Sequence, residues 1–178
     1  DTELYKISGT GAATGAIVEA PEVSIEVAPV SVSEDGTPNL VFTFKRGGST
    51  NGSLKVSFQV GGTATFGADY AQSGASVFSA TNGTVTFAAG AATKTVTINP
   101  TADFHVEADE TVVLSVDPGN NYSISGDATA TGMITNDDVN IGNFVTLDAS
   151  GQLRITDLVN RNDRLKVVKN SANELVIT

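Results

Sequence analysis

The chain contains no cysteine and no tryptophan, and it has a single methionine and a single histidine. Without cysteine there is no disulfide framework and no thiolate to act as nucleophile or metal ligand. One histidine is too few for the imidazole sets that hold zinc or copper. Secreted bacterial proteins often do without cysteine, so its absence leaves the compartment open. Positive charge is also scarce. Ten Lys and Arg stand against twenty Asp and Glu, for a net charge of −10 and a pI near 4.3. A chain of this sign lacks the basic face that nucleic acid or an anionic membrane requires, and cations and basic surfaces are its natural counterparts. No apolar run approaches the length of about 20 residues that spans a bilayer. The first residues lack a basic and apolar leader, and there is no initiating Met, so the chain reads as a piece of something longer. There is no G-x-S-x-G elbow, and aromatics are too few to line a sugar cleft, so nothing supports a nucleophilic triad or a glycosidase. The expectation is a protein that is not an enzyme.

Richness in Gly, Thr, Val, Ser and Ala, with no segment carrying a helical stripe, points to a β protein with many tight turns. At 178 residues there is room for one well-buried domain and appendages. Residues 1–21 form an arm or linker, with one strand-like piece at Leu4-Tyr5-Lys6-Ile7 followed by the Gly/Ala-rich Gly9 to Gly15. From Glu22 the pattern becomes a series of period-2 runs between turn residues. They cover Val23–Ser33, broken by Pro29, then Leu40–Lys45, Leu54–Val60, Thr84–Phe87, Thr93–Asn99, Thr111–Asp117 and about Ala128–Thr135. Pro29 suits an edge strand that changes partner midway. Seven strands over roughly 115 residues match the size of an immunoglobulin-like antiparallel β-sandwich.

The most informative stretch is Asp103-Phe104-His105-Val106-Glu107-Ala108-Asp109-Glu110, four carboxylates in eight residues. Held side by side they repel, so they either face solvent or close around a cation. Asn136-Asp137-Asp138 is a second acidic knot, and Glu34-Asp35 and Asp69 are isolated acidic turns. Successive antiparallel strands alternate their connections between the two ends of a sandwich. The first, third and fifth connections therefore share one end with the exit of the seventh strand. That parity brings Glu34, Asp69, the 103–110 stretch and Asp137-Asp138 to one tip. The other tip carries Gly48 to Gly52 and Pro118 to Asn121, nearly neutral. Calcium accepts six to eight hard oxygens, often from separate loops, which matches this set better than magnesium, zinc or copper. Asp35, Asp109, Asp117 and Asp127 read as turn or surface residues, His105 as a loop residue packed beside Phe104, and Tyr70 and Tyr122 as packing residues.

Several runs together resemble the Calx-β domain. They are Val30-Ser31-Val32-Ser33-Glu34-Asp35-Gly36, Gly61-Gly62-Thr63-Ala64 with Gly67-Ala68-Asp69-Tyr70, Gly83-Thr84-Val85-Thr86-Phe87 with Gly90, the acidic stretch, and Ile134-Thr135-Asn136-Asp137-Asp138. The resemblance covers about residues 22–138. It implies an immunoglobulin-like sandwich with calcium at the loop end, as in the sensors of sodium-calcium exchangers and in large bacterial surface and adhesion proteins. By position it makes Glu34, Asp69, Asp103, Glu107, Glu110, Asp137 and Asp138 the ligands. Members that bind calcium often show two or three consecutive aspartates where this chain has Ala102-Asp103 and Asn136-Asp137-Asp138. Fewer carboxylates imply one to a few ions.

From Val139 the character changes. Phe144–Leu147, Gln152–Thr156, Leu165–Val168 and Glu174–Ile177 suggest a β-meander, a C-terminal extension over residues 139–178. Five basic and four acidic residues make it near +1, leaving about −11 for the remainder. The expected function is a calcium-binding structural or interaction module of an extracellular or cell-surface bacterial protein, partnered by neighbouring domains or copies of itself. The alternative is a self-assembling subunit of a fibre or surface layer whose terminal strands add to neighbours by β-augmentation.

Overall fold

A computed structural model describes residues 20–138 and, beyond them, Val145–Leu147, Ser150, Leu153–Ile155, Val167–Lys169 and Leu175–Ile177. The arm expected over residues 1–21 lies almost wholly outside the described residues. The chain divides into two compact units, Asp1–Asp138 and Val139–Thr178.

Strands β1 (Glu22–Ala28), β2 (Ser31–Ser33), β3 (Leu40–Gly47), β4 (Leu54–Gly62), β5 (Tyr70–Ser73), β6 (Val77–Phe78), β7 (Asn82–Phe87), β8 (Thr93–Pro100), β9 (Glu110–Val116), β10 (Ser123–Ile124) and β11 (Thr129–Thr135) build the first unit. One sheet has the order β10-β1-β3-β8-β5 and the other β2-β11-β9-β4-β7-β6. Their inward faces are the alternate residues seen in the sequence: Leu40, Phe42 and Phe44 on β3, Val96 and Ile98 on β8, Leu54, Val56, Phe58 and Val60 on β4, and Val112, Leu114 and Val116 on β9, all buried. Between the sheets the Phe44 and Phe58 rings lie 5.2 Å apart, and Phe66, Tyr70 and Phe78 extend the aromatic contacts to one edge. Tyr70, 1% exposed, is a core residue.

The first run does change partner at Pro29. Before it, β1 pairs antiparallel with β3; after it, β2 crosses to the other sheet and pairs with β11. That second pairing is parallel, as is β1 with β10, so the sandwich is not purely antiparallel. The reason is connectivity: β2 continues the upward course of β1, and β11 runs the same way when it arrives beside it. Between the runs Leu54–Val60 and Thr84–Phe87, where the sequence shows no period-2 run, the structure holds β5 and β6. One descends from the tip and the other returns toward it, so the pair leaves the strand parity intact.

That parity sets where the chain turns. The ends of β2, β4, β8 and β11 meet the starts of β3, β5 and β9 at one pole, as the pairings Ser33 with Thr135, Gly62 with Val112, Tyr70 with Pro100 and Glu110 with Ile134 require. Close approach there depends on Gly62, whose φ of +111° favours glycine and whose missing Cβ would stand 2.0 Å from the Thr111 carbonyl oxygen. Reciprocal bonds between Thr63 and Thr111 fix the same point: the Thr63 amide donates to Thr111 Oγ1 at 3.2 Å, and the Thr111 amide to Thr63 Oγ1 at 2.9 Å.

In the second unit β12 (Val145–Leu147) pairs antiparallel with β13 (Leu153–Ile155), and β14 (Val167–Lys169) with β15 (Leu175–Ile177). Among the described residues these form two two-stranded sheets. Each pair is joined by five residues (148–152 and 170–174), whereas eleven (156–166) separate the pairs.

Candidate metal centre

All seven carboxylates singled out in the sequence come to the pole just described. Glu34 follows β2 directly, and its backbone amide donates to the Thr135 carbonyl at 3.1 Å, which binds it to the end of β11. Val32 points into the core, so Glu34, two residues on, falls on the same inward register and is only 7% exposed. Asp69 closes a tight turn: its amide donates to the Thr65 carbonyl at 3.0 Å and its Oδ2 accepts from the Thr65 amide. Its carbonyl in turn receives the Thr101 amide at 2.9 Å, tying that turn to the end of β8. Glu110 opens β9 and brings a carboxylate oxygen within 4.8 Å of one of Asp69.

Glu34, Asp69, Glu107 and Glu110 line one pocket together with Ala108, Ile134 and Asn136. Carboxylate oxygens of Asp69, Glu107 and Glu110 lie within 4.8 Å of one another. Asp103, Asp137 and Asp138 complete the surroundings of Glu34, each close enough to act on its charge. Ser33 Oγ donates to Asp137 Oδ2, while Asp137 Oδ1 is buried with no hydrogen-bond partner.

Electrostatics follow from this crowding. Burial first, then repulsion from Asp103, Asp138, Glu107 and Asp137, pushes the Glu34 carboxyl up from 4.5 to about 7. Burial and the neighbouring Asp69 and Glu107 push Glu110 upward as well. No Lys or Arg pairs with Glu34, Asp69, Asp103, Glu107, Glu110 or Asp137 among the described residues; Lys45 pairs with Glu26 at 2.6 Å, away from this pole, and the Asp103 carboxylate has the His105 imidazole 3.6 Å away. A buried carboxylate ringed by its own sign stays protonated or waits for a cation. The donor set is hard oxygen from four separate connections, the kind that suits calcium, and the orphaned Asp137 oxygen is a lone pair with nothing to receive.

Two minor expectations change. His105 does not pack beside Phe104: Phe104 is 92% exposed and the imidazole 82%, so both stand in water. Asp109 is a capping carboxylate, as expected of a turn residue, but its partner is distant, the amide of Asn136 at 3.1 Å. Asn136 itself was part of the acidic knot in the sequence, yet nothing in local pattern distinguished it. Its side chain joins Glu107 to Asp138, with Oδ1 accepting from the Glu107 amide at 2.9 Å and Nδ2 donating to the Asp138 carbonyl at 3.0 Å.

Among solved structures the sandwich is similar to the crystal structure of the apo-form Calx CBD1 domain, with a TM-score of 0.51, 22% identity, and coverage of 67% of this chain and all of that one. It is also similar to the calcium-binding domain CBD12 of CALX1.1, at a TM-score of 0.49 and 22% identity, covering 64% of this chain and 44% of that one. At this identity the likeness to the apo-form CBD1 domain speaks to fold. No match was found among curated proteins. The Calx-beta domain model matches residues 18–138, the two sheets and the acidic pole together, and the chain belongs to the Calx-beta domain family.

Proposed function

We propose that the acidic pole binds calcium, and that the chain serves as a structural and interaction module of an extracellular bacterial surface or adhesion protein. The observation that carries this reading is Glu34: a carboxylate 7% exposed, facing other carboxylates, with no Lys or Arg paired to it among the described residues. The family to which the chain belongs is one of calcium-binding modules rather than enzymes, which supports a role without catalysis. Glu34, Asp69, Asp103, Glu107, Glu110, Asp137 and Asp138 would hold the ions, and calcium would supply the positive charge that these side chains lack. With Ala102 and Asn136 in place of further carboxylates, one to a few ions suffice.

The mechanism is linkage. Calcium binds the folded pole and not the unfolded chain, so it raises stability by RT ln(1 + [Ca]/Kd), about 2.7 kcal/mol at 100 times Kd. Asp137 and Asp138 end the first unit, so an ion held there also stiffens the point where the chain leaves for residues 139–178. Strand addition to neighbours finds less support. The edges of the two sheets, β10, β5, β2 and β6, are two to four residues long and offer a short template. Neighbouring domains or copies would instead meet the module as a rigid body. The test is thermal unfolding of wild type and the Asp103→Ala/Glu110→Ala double variant with calcium or chelator. Wild type should gain melting temperature with calcium and the double variant should not; an unchanged response in the double variant removes the assigned site.

A further inference from the structure

Asn136 is the one neutral polar side chain lining the pocket, and it is bonded at both ends. With its backbone amide on Asp109, it makes three bonds: two fasten residues 101–109 to the exit of β11, across 29 positions in sequence to Glu107 and 27 to Asp109, and the third, to the Asp138 carbonyl, fixes the side chain within that exit. Its two side-chain partners demand opposite chemistry: the Glu107 amide needs an acceptor and the Asp138 carbonyl needs a donor. A primary amide supplies both from a planar group of this size. A carboxylate of the same shape would still accept from Glu107 but would set an oxygen against the Asp138 carbonyl. It would also add a charge to a pocket already lined by Glu34, Asp69, Glu107 and Glu110.

We infer that Asn136 is a positioning residue that holds the acidic connection against the exit of β11 without a cation, so that the pole is formed before an ion arrives. The first half concerns the ion-free chain alone; the second rests on the calcium reading above. A pole held this way changes little when calcium is added, whereas one closed by a fifth carboxylate would depend on the ion for its shape.

The experiment is amide hydrogen exchange followed by NMR on the full chain, first in excess chelator and then with calcium, for wild type, Asn136→Asp and Asn136→Ser. In chelator the amides over 104–109 should exchange about tenfold faster in both variants, because the aspartate trades its bond to the Asp138 carbonyl for repulsion and the serine is too short to hold both partners; tenfold is the factor expected for losing one bond of this class. The serine variant adds no charge, so it separates loss of the bonds from added repulsion. Calcium should restore slow exchange in Asn136→Asp and alter wild type least. Equal exchange in wild type and both variants overturns the inference, and so does fast exchange in Asn136→Asp with none in Asn136→Ser, since repulsion alone would then be responsible. If both variants loosen in chelator but calcium restores nothing, Asn136 keeps its positioning role and the calcium reading is what fails.

Discussion

The sandwich buries one charged side chain near each end among the described residues, Glu34 at 7% exposure and Arg46 at 6%, and the two are treated differently. Arg46 continues the inward face of β3 past Phe44, and the protein's own backbone answers it: its Nη1 donates to the Gly52 carbonyl at 2.8 Å, although its Nε finds no partner. A guanidinium is diffuse and weakly hydrated, so a carbonyl and apolar walls can hold it. Glu34 is compact, anionic and surrounded by carboxylates. One pole answers its buried charge with a backbone carbonyl, while at the other the buried carboxyl faces groups of its own sign. The contrast teaches where to expect a ligand: burial of charge marks a site only where the neighbours leave that charge unanswered.

The largest expected difference between the poles is steric. A Cβ on Gly62 would meet the Thr111 carbonyl at 2.0 Å in a backbone conformation that L side chains rarely adopt, whereas one on Gly52 has nothing within 4 Å. Gly62→Ala should therefore cost about 3 kcal/mol, combining overpacking with positive-φ strain. Gly52→Ala should change stability by less than about 1 kcal/mol in either direction. Chemical denaturation in chelator measures both. Equal effects would mean that the acidic pole is no more tightly built than its opposite.

The next effect is one of pH, and its sign follows from Glu34. The carboxyl titrates near 4.5 in the unfolded chain and near 7 when folded, so between those values the folded state keeps a proton that the unfolded state has released. Its contribution to stability is fully present below about pH 4.5 and is lost as pH rises through about 7; by linkage the loss amounts to about 3 kcal/mol. Glu110, shifted the same way, adds to the trend. Calcium binding needs these groups ionised, so it should release protons in this window and should offset the loss. Comparing wild type with Glu34→Gln in chelator at pH 4.5 and pH 7.5 isolates the group. The stability difference between the two proteins should shift toward the glutamine variant as pH rises; a pH-independent difference would show that Glu34 does not carry the buried charge of this pole.

Much of this contrast was legible in the sequence, for a physical reason. Half-buried strands repeat every two residues, so Leu40, Phe42, Phe44 and Leu54, Val56, Phe58, Val60 announced their faces, and strand parity alone gathered the acidic connections. The same register held a further signal: Glu34 and Arg46 are the next inward positions after Val32 and Phe44, which marks them as the charges to be buried. The short strands β5, β6 and β10 escaped because two to four residues cannot show alternation, and Val77 in β6 is 55% exposed. Asn136 escaped because two of its partners lie 27 and 29 positions away, and only coordinates bring the Glu107 amide to its side chain and the Asp109 carboxylate to its backbone amide.

The smallest effect is expected where the comparison predicts indifference. Arg46→Met removes one hydrogen bond to Gly52 and one buried cation, and replaces them with an apolar chain of similar reach. Losing the bond costs about 1 kcal/mol and relieving an imperfectly satisfied charge returns a similar amount, so net stability should stay within about 1 kcal/mol of wild type. The calcium response should be untouched, because nothing at this end contributes to the acidic pole. Unfolding curves of Arg46→Met with and without calcium test both points together. A loss of several kcal/mol would show that Arg46 is held by more than one carbonyl, and a changed calcium response would show that the two ends are coupled through the core rather than independent.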